Sequence, residues 1–509
     1  MSNKWTGAAL SLALCSTALL SCSGGNNQSE QGTTGQSAGV AVDWDGKAEQ
    51  QLREAIAGAP ANGLRPELFL KGGEKGAALT EAALKYATAL ANGYADPTKL
   101  HEVYTIPRPK ADVRQGLAQA IQKGDVKGWL ASLVPQTDEY RALSQAHLHY
   151  LQLASKAQPQ PIAEGKPIKP GGRDPRIALV RAALTANEII ASPQPAPQKA
   201  GTTAAARAAP VPSADHYTPD LVAAVKRVQA EWGLKPDGVI GGATLDVLNA
   251  GPAYRARQLA IAMERLRWLQ RTPPATRIDV NTAASFLDYW RDGQHVDHRA
   301  VVEGEPDKPT PQLQSPIVRL VAKPTWNVPE GIGVTELATK SPGWLQDNGF
   351  VQKDGKWVQL PGPKNSLGLV KFDMQNDQAI YLHDTPAKAI FGLPERHRSH
   401  GCVRVENAVQ FATALAEEQG VLDQFLKAMG QTDDTQLDDQ TQQDDSTFIK
   451  LKNPIPVRLL YQTAFWDGAR VQFRPDVYGW DDNLAKAIGL APGPPQKIPQ
   501  PESSDDIGP

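Results

Sequence analysis

Residues 381–407 read YLHDTPAKAIFGLPERHRSHGCVRVEN, a segment that contains Cys402 and three of the chain's nine histidines, His383, His397 and His400. Nucleophilic attack by a cysteine needs a thiolate, a base, a group that orients the base, and N–H donors for the oxyanion that forms at the attacked carbonyl. This segment can supply all four. It therefore predicts a catalytic site that depends on a cysteine.

The residues next to this cysteine are suited to a reactive thiol. Gly401 lets the backbone and a substrate approach the sulfur closely, because it has no side chain. Positive charge lowers the pKa of a thiol, and Arg396, Arg398 and Arg404 are all close in sequence. We expect these arginines to lower the pKa of Cys402.

A zinc site is the rival use of the same segment, since histidine and cysteine are the usual zinc ligands. The three arginines would raise the cost of binding a dication there. The chain also contains no CxxC and no HExxH pattern. We therefore expect neither a metal ion nor another cofactor.

A family resemblance rests on two parts of the segment, HDT at 383–385 and SHGCVRVEN at 399–407. With the spacer between them, they resemble the signature of the L,D-transpeptidase catalytic domain, also called the YkuD domain. Upstream, PGPKNSLGLVKF at 361–372 resembles the segment that leads to that family's active-site strand. Residues 304–332 resemble the larger, YcbB-like members, which carry a lid-like insertion.

The resemblance implies a role for each matching residue. Cys402 would be the nucleophile, and His383 the general base and acid, with the backbone carbonyl of Asp384 orienting its ring. Backbone N–H groups near Gly401 and Cys402 would form the oxyanion hole, and Arg404 would hold the substrate or the loop. His397 has no implied role. Three further residues of the motif could bind substrate or serve the structure of the loop: Ser399, His400 and Asn407.

The reaction implied by the resemblance has two steps. The thiolate attacks the carbonyl of the third residue of a peptidoglycan tetrapeptide stem, expels the terminal D-alanine and leaves a thioester. The side-chain amine of a second stem then attacks, and the product is a 3→3 cross-link. ATP is not required, since the thioester conserves the energy of the broken peptide bond, and the resemblance implies no metal.

Two other functions are compatible with the same residues. A cysteine peptidase acting as an L,D-carboxypeptidase on cell-wall peptides would use the same thiolate and deliver water to the acyl-enzyme. A lipid-anchored wall-binding protein without catalysis would keep the segment but not the activity.

Outward from the motif, residues 276–485 have the pattern of a mainly-β catalytic domain. Two strands, Ala284–Trp290 and Val296–Val302, flank a turn, and Val457–Phe465 and Ala469–Phe473 do so as well. A helix is predicted from about Asn407 to Gly420. Two further features are a lid-like insertion at about 325–360, in which Trp326, Trp344 and Phe350 could form a lid or a core, and an acidic loop at 432–446.

Residues 172–250 precede this domain and resemble a type 1 peptidoglycan-binding module. The run AVKRVQAEWGLKPDGVIGGATLDVLN at 224–249 carries the resemblance, and residues 174–184 could supply a first helix. Residues 192–214 are rich in proline and alanine and are expected to be an insertion. A connecting helix is predicted within 251–275.

The N-terminal part begins with a predicted lipoprotein signal peptide at residues 1–21. LLSC at 19–22 resembles a lipobox, so Cys22 would carry the lipid, with an ordinary signal peptide as the alternative. By the same resemblance, Ser23 favours the outer membrane over the inner one. Residues 22–45 are expected to be a flexible tether, 46–155 a helical scaffold domain, and 490–509 a disordered tail.

The fold class that follows is multidomain α+β. It comprises an N-terminal helical domain, a small helical peptidoglycan-binding module and a mainly-β L,D-transpeptidase catalytic domain. A formal net charge of -2 and the lack of long Lys/Arg runs exclude nucleic acid as a partner. The expected partners are peptidoglycan tetrapeptide stems, as donor and acceptor, and a membrane reached through the lipid. The expected location is the periplasm, and the oligomeric state stays open.

Overall fold

The computed structural model describes residues 43–190, 213–430 and 447–494. None of the helices in these ranges is long and apolar enough to cross a bilayer. Several predicted features lie wholly or mostly outside the described residues: the signal peptide 1–21, Cys22, the tether 22–45, the insertion 192–214, the acidic loop 432–446 and the tail 490–509.

The N-terminal region is helical, as predicted. Side chains of Asp45, Asp112, Asp125 and Thr137 accept hydrogen bonds from backbone N–H groups at four helix starts, which satisfies donors that have no partner within the helix. The first four helices bury an alanine- and leucine-rich core between them, whereas Tyr140 and Leu143 of the fifth helix belong to the core of the next helical group. Their bounds are α1 Gly46–Ala57, α2 Gly76–Asn92, α3 Val113–Gln122, α4 Val126–Ser132 and α5 Asp138–Ala154.

A second helical group follows, formed by α6 Ile177–Ala186, α7 Pro219–Glu231 and α8 Gly242–Trp268. The apolar positions of α7 all lie in its core, as their spacing predicted: Leu221, Val225, Val228 and the adjacent Trp232. Two isolated β-bridges join the segment before α6 to the segments before α8 and α7. They pair Ile168 with Ile240 and Arg173 with His216.

Helix α8 kinks at Gly251, which has φ 68° and precedes Pro252. The kink agrees with the prediction of a separate helix beyond residue 251, because a residue before proline avoids helical geometry. The part after the kink is buried on almost every side. It pairs Arg265 with Asp481 at 2.5 Å and Arg267 with Glu264 at 2.5 Å. The second part of this helix is thus a buried central element of the described structure.

The predicted catalytic domain is built on a nine-stranded sheet in the order β10-β3-β11-β9-β8-β4-β12-β1-β2. Strand β3 also pairs with β2, so the sheet closes on itself. Its interior is filled by aliphatic side chains and by one face of helix α11. The sheet strands are β1 Arg277–Asn281, β2 Phe286–Arg291, β3 Gln294–Gly304, β4 Gln314–Ala322, β8 Val370–Met374, β9 Leu382–His383, β10 His397–Ser399, β11 Val403–Val405 and β12 Phe448–Leu460. The helices are α11 Ala408–Glu418, α12 Leu422–Ala428 and α13 Trp480–Ala487.

The two predicted hairpins have different outcomes. The first is confirmed, since β2 and β3 are joined at Asp292 and Gly293. The second is partly wrong: the predicted strand Val457–Phe465 is divided between β12, which belongs to the large sheet, and β13 Ala464–Trp466, which pairs with β14 Val471–Phe473. The two pieces have different partners. Strand β12 pairs within the nine-stranded sheet, whereas β13 packs against α5 and α8.

The insertion near 325–360 has a small sheet of its own, in the order β5-β7-β6. Trp326 and Phe350 are buried in its apolar cluster, and Trp344 stacks on Phe350 with ring centroids 5.9 Å apart. These aromatic residues are thus the core of the insertion itself. The elements are β5 Trp326–Asn327, α9 Glu330–Thr335, α10 Pro342–Asp347, β6 Phe350–Lys353 and β7 Lys356–Gln359.

Candidate active site

Strand register brings the motif residues onto one face of the sheet. Strands β9 and β11 run parallel with His383 opposite Arg404, and β8 runs antiparallel to β9 with Lys371 opposite His383. Since side chains alternate along a strand, Tyr381 and Cys402, each two residues earlier, lie on the same face. The alternate residues enter the sheet interior.

The thiol of Cys402 is 5% exposed, and its Sγ lies 3.8 Å from the carbonyl oxygen of Ala379. Burial raises the pKa of this thiol to about 11, although hydrogen bonds from the backbone and hydroxyl of Tyr381 and the charges of Lys371 and Arg404 act to lower it. The resting cysteine is therefore a neutral thiol at neutral pH.

The prediction that nearby arginines lower this pKa is wrong for the net effect, because desolvation outweighs charge. Two of the arginines also serve the loop. Arg396 donates to the carbonyl oxygens of Val301, Leu393 and Ser285 at 3.0, 2.7 and 2.9 Å. Arg398 donates to the carbonyl oxygen of Glu395 at 3.3 Å. The charge of Arg404 acts to lower the pKa of the Cys402 thiol.

The ring of His383 is fully buried, and its Nδ1 lies 2.5 Å from the carbonyl oxygen of Asp384. A carbonyl can only accept, so Nδ1 carries the proton and Nε2 presents a lone pair. No hydrogen-bond partner of Nε2 is found among the described residues. Burial and the charges of Arg404, Lys371 and Lys388 hold the pKa of His383 well below its ordinary value. The imidazole is neutral and able to take a proton.

The side chain of Asp384 has a separate structural task. Its carboxylate accepts a hydrogen bond from the N–H of Leu369 at 3.0 Å and pairs with Lys388. A Cβ at Gly368, which has φ 62°, would lie 2.4 Å from this carboxylate. The close packing holds the strand end that carries His383.

Ser399 and Gly401 shape the loop before the cysteine. The N–H of Gly401 donates to Ser399 Oγ at 3.1 Å, and Ser399 Oγ donates to the carbonyl oxygen of Cys402 at 2.6 Å. Gly401 has φ 117°, a conformation that favours glycine. Its carbonyl accepts from Thr310 Oγ1 at 2.8 Å. Because the Gly401 N–H already donates a hydrogen bond to Ser399 Oγ, it is not available to the oxyanion as expected. The N–H of Cys402 is the better candidate for the oxyanion donor.

His400 and Asn407 make their contacts with residues other than Cys402 and His383. His400 Nε2 contacts Glu336 Oε1 in the insertion, and the same oxygen lies 3.6 Å from Lys308 Nζ. Asn407, with φ 49°, begins helix α11, and its carbonyl accepts from Arg299 at 3.2 Å. These contacts connect the motif to the insertion and to the helix.

His397, which had no predicted role, is buried between two glutamates. Its Nδ1 lies 2.6 Å from Glu395 Oε1 and its Nε2 lies 3.1 Å from Glu303 Oε1. Burial acts to lower the pKa of His397, but Glu303 and Glu395 outweigh it and raise the pKa to about 9. The three motif histidines thus have three different environments, an arrangement that does not suit one shared zinc ion.

Sequence reasoning missed three contributors to the site. Lys371 lies with its Nζ 4.1 Å from the centroid of the Tyr381 ring, and Thr310 is bonded to the loop from 91 positions away. The alternation in Tyr381-Leu382-His383 was a usable signal for Tyr381. Lys371 and Thr310 give no local signal, since register and loop packing bring them in.

Comparison with known families agrees with this geometry. Residues 275–422 match the model of the "L,D-transpeptidase catalytic domain". The region that holds Cys402 and His383 is therefore similar to the catalytic domain of the YkuD family. Residues 44–146 match a "Scaffold domain", and 203–248 match a "Putative peptidoglycan binding domain". The fold class predicted from the sequence is confirmed.

A similar curated protein is a "Putative L,D-transpeptidase" of Haemophilus influenzae, 28% identical over 230 residues, which cover 41% of this chain and 45% of the relative. The chain therefore spans less than half the length of that protein. The solved catalytic domain of an E. faecium L,D-transpeptidase acylated by ertapenem is 14% identical and covers 37% of this chain and 99% of its own, with a TM-score of 0.19.

An L,D-transpeptidase structure from Xylanimonas cellulosilytica is 15% identical and covers 59% of this chain and 100% of its own, with a TM-score of 0.18.

Proposed function

We propose that the protein is a peptidoglycan L,D-transpeptidase in which Cys402 is the nucleophile and His383 the general base. One observation carries the proposal. A buried thiol and a buried neutral imidazole, whose tautomer is set by the Asp384 carbonyl, lie on one face of a catalytic domain of this family.

The first step forms a bond between Cys402 Sγ and the carbonyl carbon of the third stem residue. His383 Nε2 takes the thiol proton as the bond forms, so no thiolate is stored in the resting site. The same proton passes to the departing amine when the C–N bond breaks, and D-alanine leaves. Neutral reactants suit a desolvated site, because an isolated charge there is costly.

Charge that develops on the carbonyl oxygen has nearby stabilisers. The positive charges of Lys371 and Arg404 already act on the sulfur, and the Tyr381 hydroxyl lies beside it. The N–H of Cys402 is the backbone donor we assign to the oxyanion hole. In the second step an acceptor amine attacks the thioester, His383 takes its proton, and the thiol is restored. The product is a 3→3 cross-link.

The insertion favours the amine over water as acceptor in this proposal. Its own core and sheet give it a defined shape, and the Glu336 contact to His400 attaches it to the loop that carries Cys402. A closed insertion excludes water from the thioester. Ser399 and Gly401 position the loop, Arg404 supplies charge, and Asn407 begins the following helix.

The remaining segments fit an enzyme of the cell envelope. The peptidoglycan-binding module would concentrate the enzyme on its polymeric substrate. A lipid on Cys22, with residues 22–45 as the tether, would anchor it to a membrane facing the periplasm, which we propose is the outer membrane. We retain 46–155, 172–250 and 276–485 as the boundaries of the scaffold, module and catalytic domains.

Incubation with purified tetrapeptide muropeptides tests the proposal. We expect a cross-linked dimer, release of D-alanine, and a mass increase on the protein that maps to Cys402. Cys402→Ala should abolish all three. Release of tripeptide without dimer would indicate a carboxypeptidase, and no acylation at any residue would reject catalysis.

A further inference from the structure

A second cluster of reactive side chains lies on the β2–β3 hairpin, apart from the contacts of Cys402 and His383. Asp288 Oδ1 is 2.9 Å from His295 Nε2 and 2.7 Å from His298 Nδ1. The three side chains are 23%, 44% and 60% exposed in that order. An ion in solution can therefore reach them.

The backbone carries an irregularity that makes this convergence possible. His295 and His298 are three positions apart, so on a regular strand they would point to opposite faces of the sheet. The register shifts there: Tyr289 pairs with Asp297 but Trp290 pairs with His295, which leaves Val296 unpaired. An extra residue of this kind re-aims the neighbouring side chain, and such bulges are common at functional sites.

Ring contacts hold both imidazoles in place. His298 lies against Phe286 with centroids 5.2 Å apart, and His295 lies against Trp290 at the same separation. Asp288 is the direct cross-strand neighbour of His298. The three potential ligand atoms all lie within 4.8 Å of one another. The arrangement is organised before any ion arrives.

We propose that Asp288, His295 and His298 form a binding site for one zinc ion. Two imidazole nitrogens and one carboxylate oxygen are a ligand set that zinc accepts, with solvent in the remaining position. Calcium and magnesium prefer all-oxygen sites and are not expected to bind. The ion replaces the protons that now bridge the imidazoles and the carboxylate, and so links β2 to β3.

The site has a structural consequence for the catalytic region. Strand β3 pairs with β2 along its first part and with β11 and β10 at its other end, next to the Cys402 loop. Zinc would stabilise the end of β3 that pairs with β2, and the other end of β3 supports the Cys402 loop. We expect a bound ion to raise the melting temperature, because it binds the folded hairpin and not the unfolded chain.

The test is calorimetric titration of the full chain with zinc chloride, in a Cys402→Ala background so that the thiol cannot contribute. We expect one equivalent to bind. Asp288→Asn, His295→Ala and His298→Ala should each weaken binding at least about tenfold. His149→Ala is the matched control, since His149 is exposed and pairs with Glu188 at 3.4 Å outside the cluster. It should leave binding unchanged.

Two results of the zinc titration would overturn the site. One is the absence of zinc binding by the Cys402→Ala protein, and the other is equal binding by the three cluster variants, which would place the ion elsewhere. Circular dichroism establishes that each variant is folded. Magnesium chloride, titrated in parallel, should give no binding, and a magnesium affinity equal to that of zinc would also reject the proposal.

Discussion

At the scale of single residues, the desolvated thiol predicts an unusual pH profile. With a pKa of about 11, Cys402 is ionised to only about 10⁻³ at pH 8. Alkylation by iodoacetamide, followed by mass spectrometry, should therefore keep accelerating above pH 9 in the substrate-free protein. A plateau reached below pH 9 would show that the thiol is not held neutral by burial.

The histidines of the motif predict a contrast between two variants. His383 has the fixed tautomer and the available Nε2, so His383→Ala should lose about 10² to 10⁴ in the rate of acyl-enzyme formation. His400→Ala should lose less, because His400 contacts Glu336. Circular dichroism controls for folding. The opposite order of effects would reassign the base and leave the family unaffected.

The site illustrates what a sequence can and cannot predict at this scale. The spacing of HDT and SHGC indicated that His383 and Cys402 share a site, because both residues belong to one short motif. The direction of the Cys402 pKa shift could not be predicted from the motif. Charge can be counted along a chain, whereas burial depends on how Tyr381 and the neighbouring strands pack over the sulfur.

At the scale of elements, the insertion predicts control over the fate of the thioester. Glu336→Gln removes the charged contact to His400 and Lys308, so the insertion should open more often. We expect faster hydrogen exchange across residues 326–359 and a larger fraction of hydrolysed product. Glu330→Gln, an exposed change at the start of helix α9, which ends just before Glu336, is the control. Equal product ratios in both variants would separate the insertion from acceptor choice.

Elements were predictable where local chemistry decides them. Asp292-Gly293 predicts the β2–β3 turn, and the spacing of apolar residues predicts helix α11. No local signal in the sequence predicted that 457–465 is divided into two strands. Both pieces favour β structure, and only their tertiary partners distinguish one strand from the other. The β-bulge at Val296 could not be predicted from the sequence either, because it depends on how β2 and β3 pair.

At the scale of the whole molecule, α8 predicts where stability resides. Glu264 is buried beside Arg267 and also accepts from the N–H of Ala95 at 2.7 Å. Glu264→Gln leaves a buried arginine unpaired, so the free energy of unfolding should fall by about 3–5 kcal/mol. Glu54→Gln, at an exposed pair with Lys127, should change little. Thermal or denaturant unfolding compares the two, and equal effects would contradict the prediction.

The proposed anchor is tested in the cell with a palmitate analogue. Cys22→Ser should abolish labelling, whereas Cys15→Ser should retain it, because only Cys22 follows the Leu-Leu-Ser sequence of 19–21. An unlabelled wild-type protein would remove the anchor from the proposal.

The burial of Cys402 has a further consequence for a protein that works in the cell envelope. Peroxides attack thiolates and hardly touch thiols, so a neutral, shielded sulfur forms sulfenic acid slowly. Disulfide exchange with other proteins is slowed in the same way. The environment that keeps the proposed nucleophile protonated until a substrate arrives would also preserve it against oxidation between turnovers.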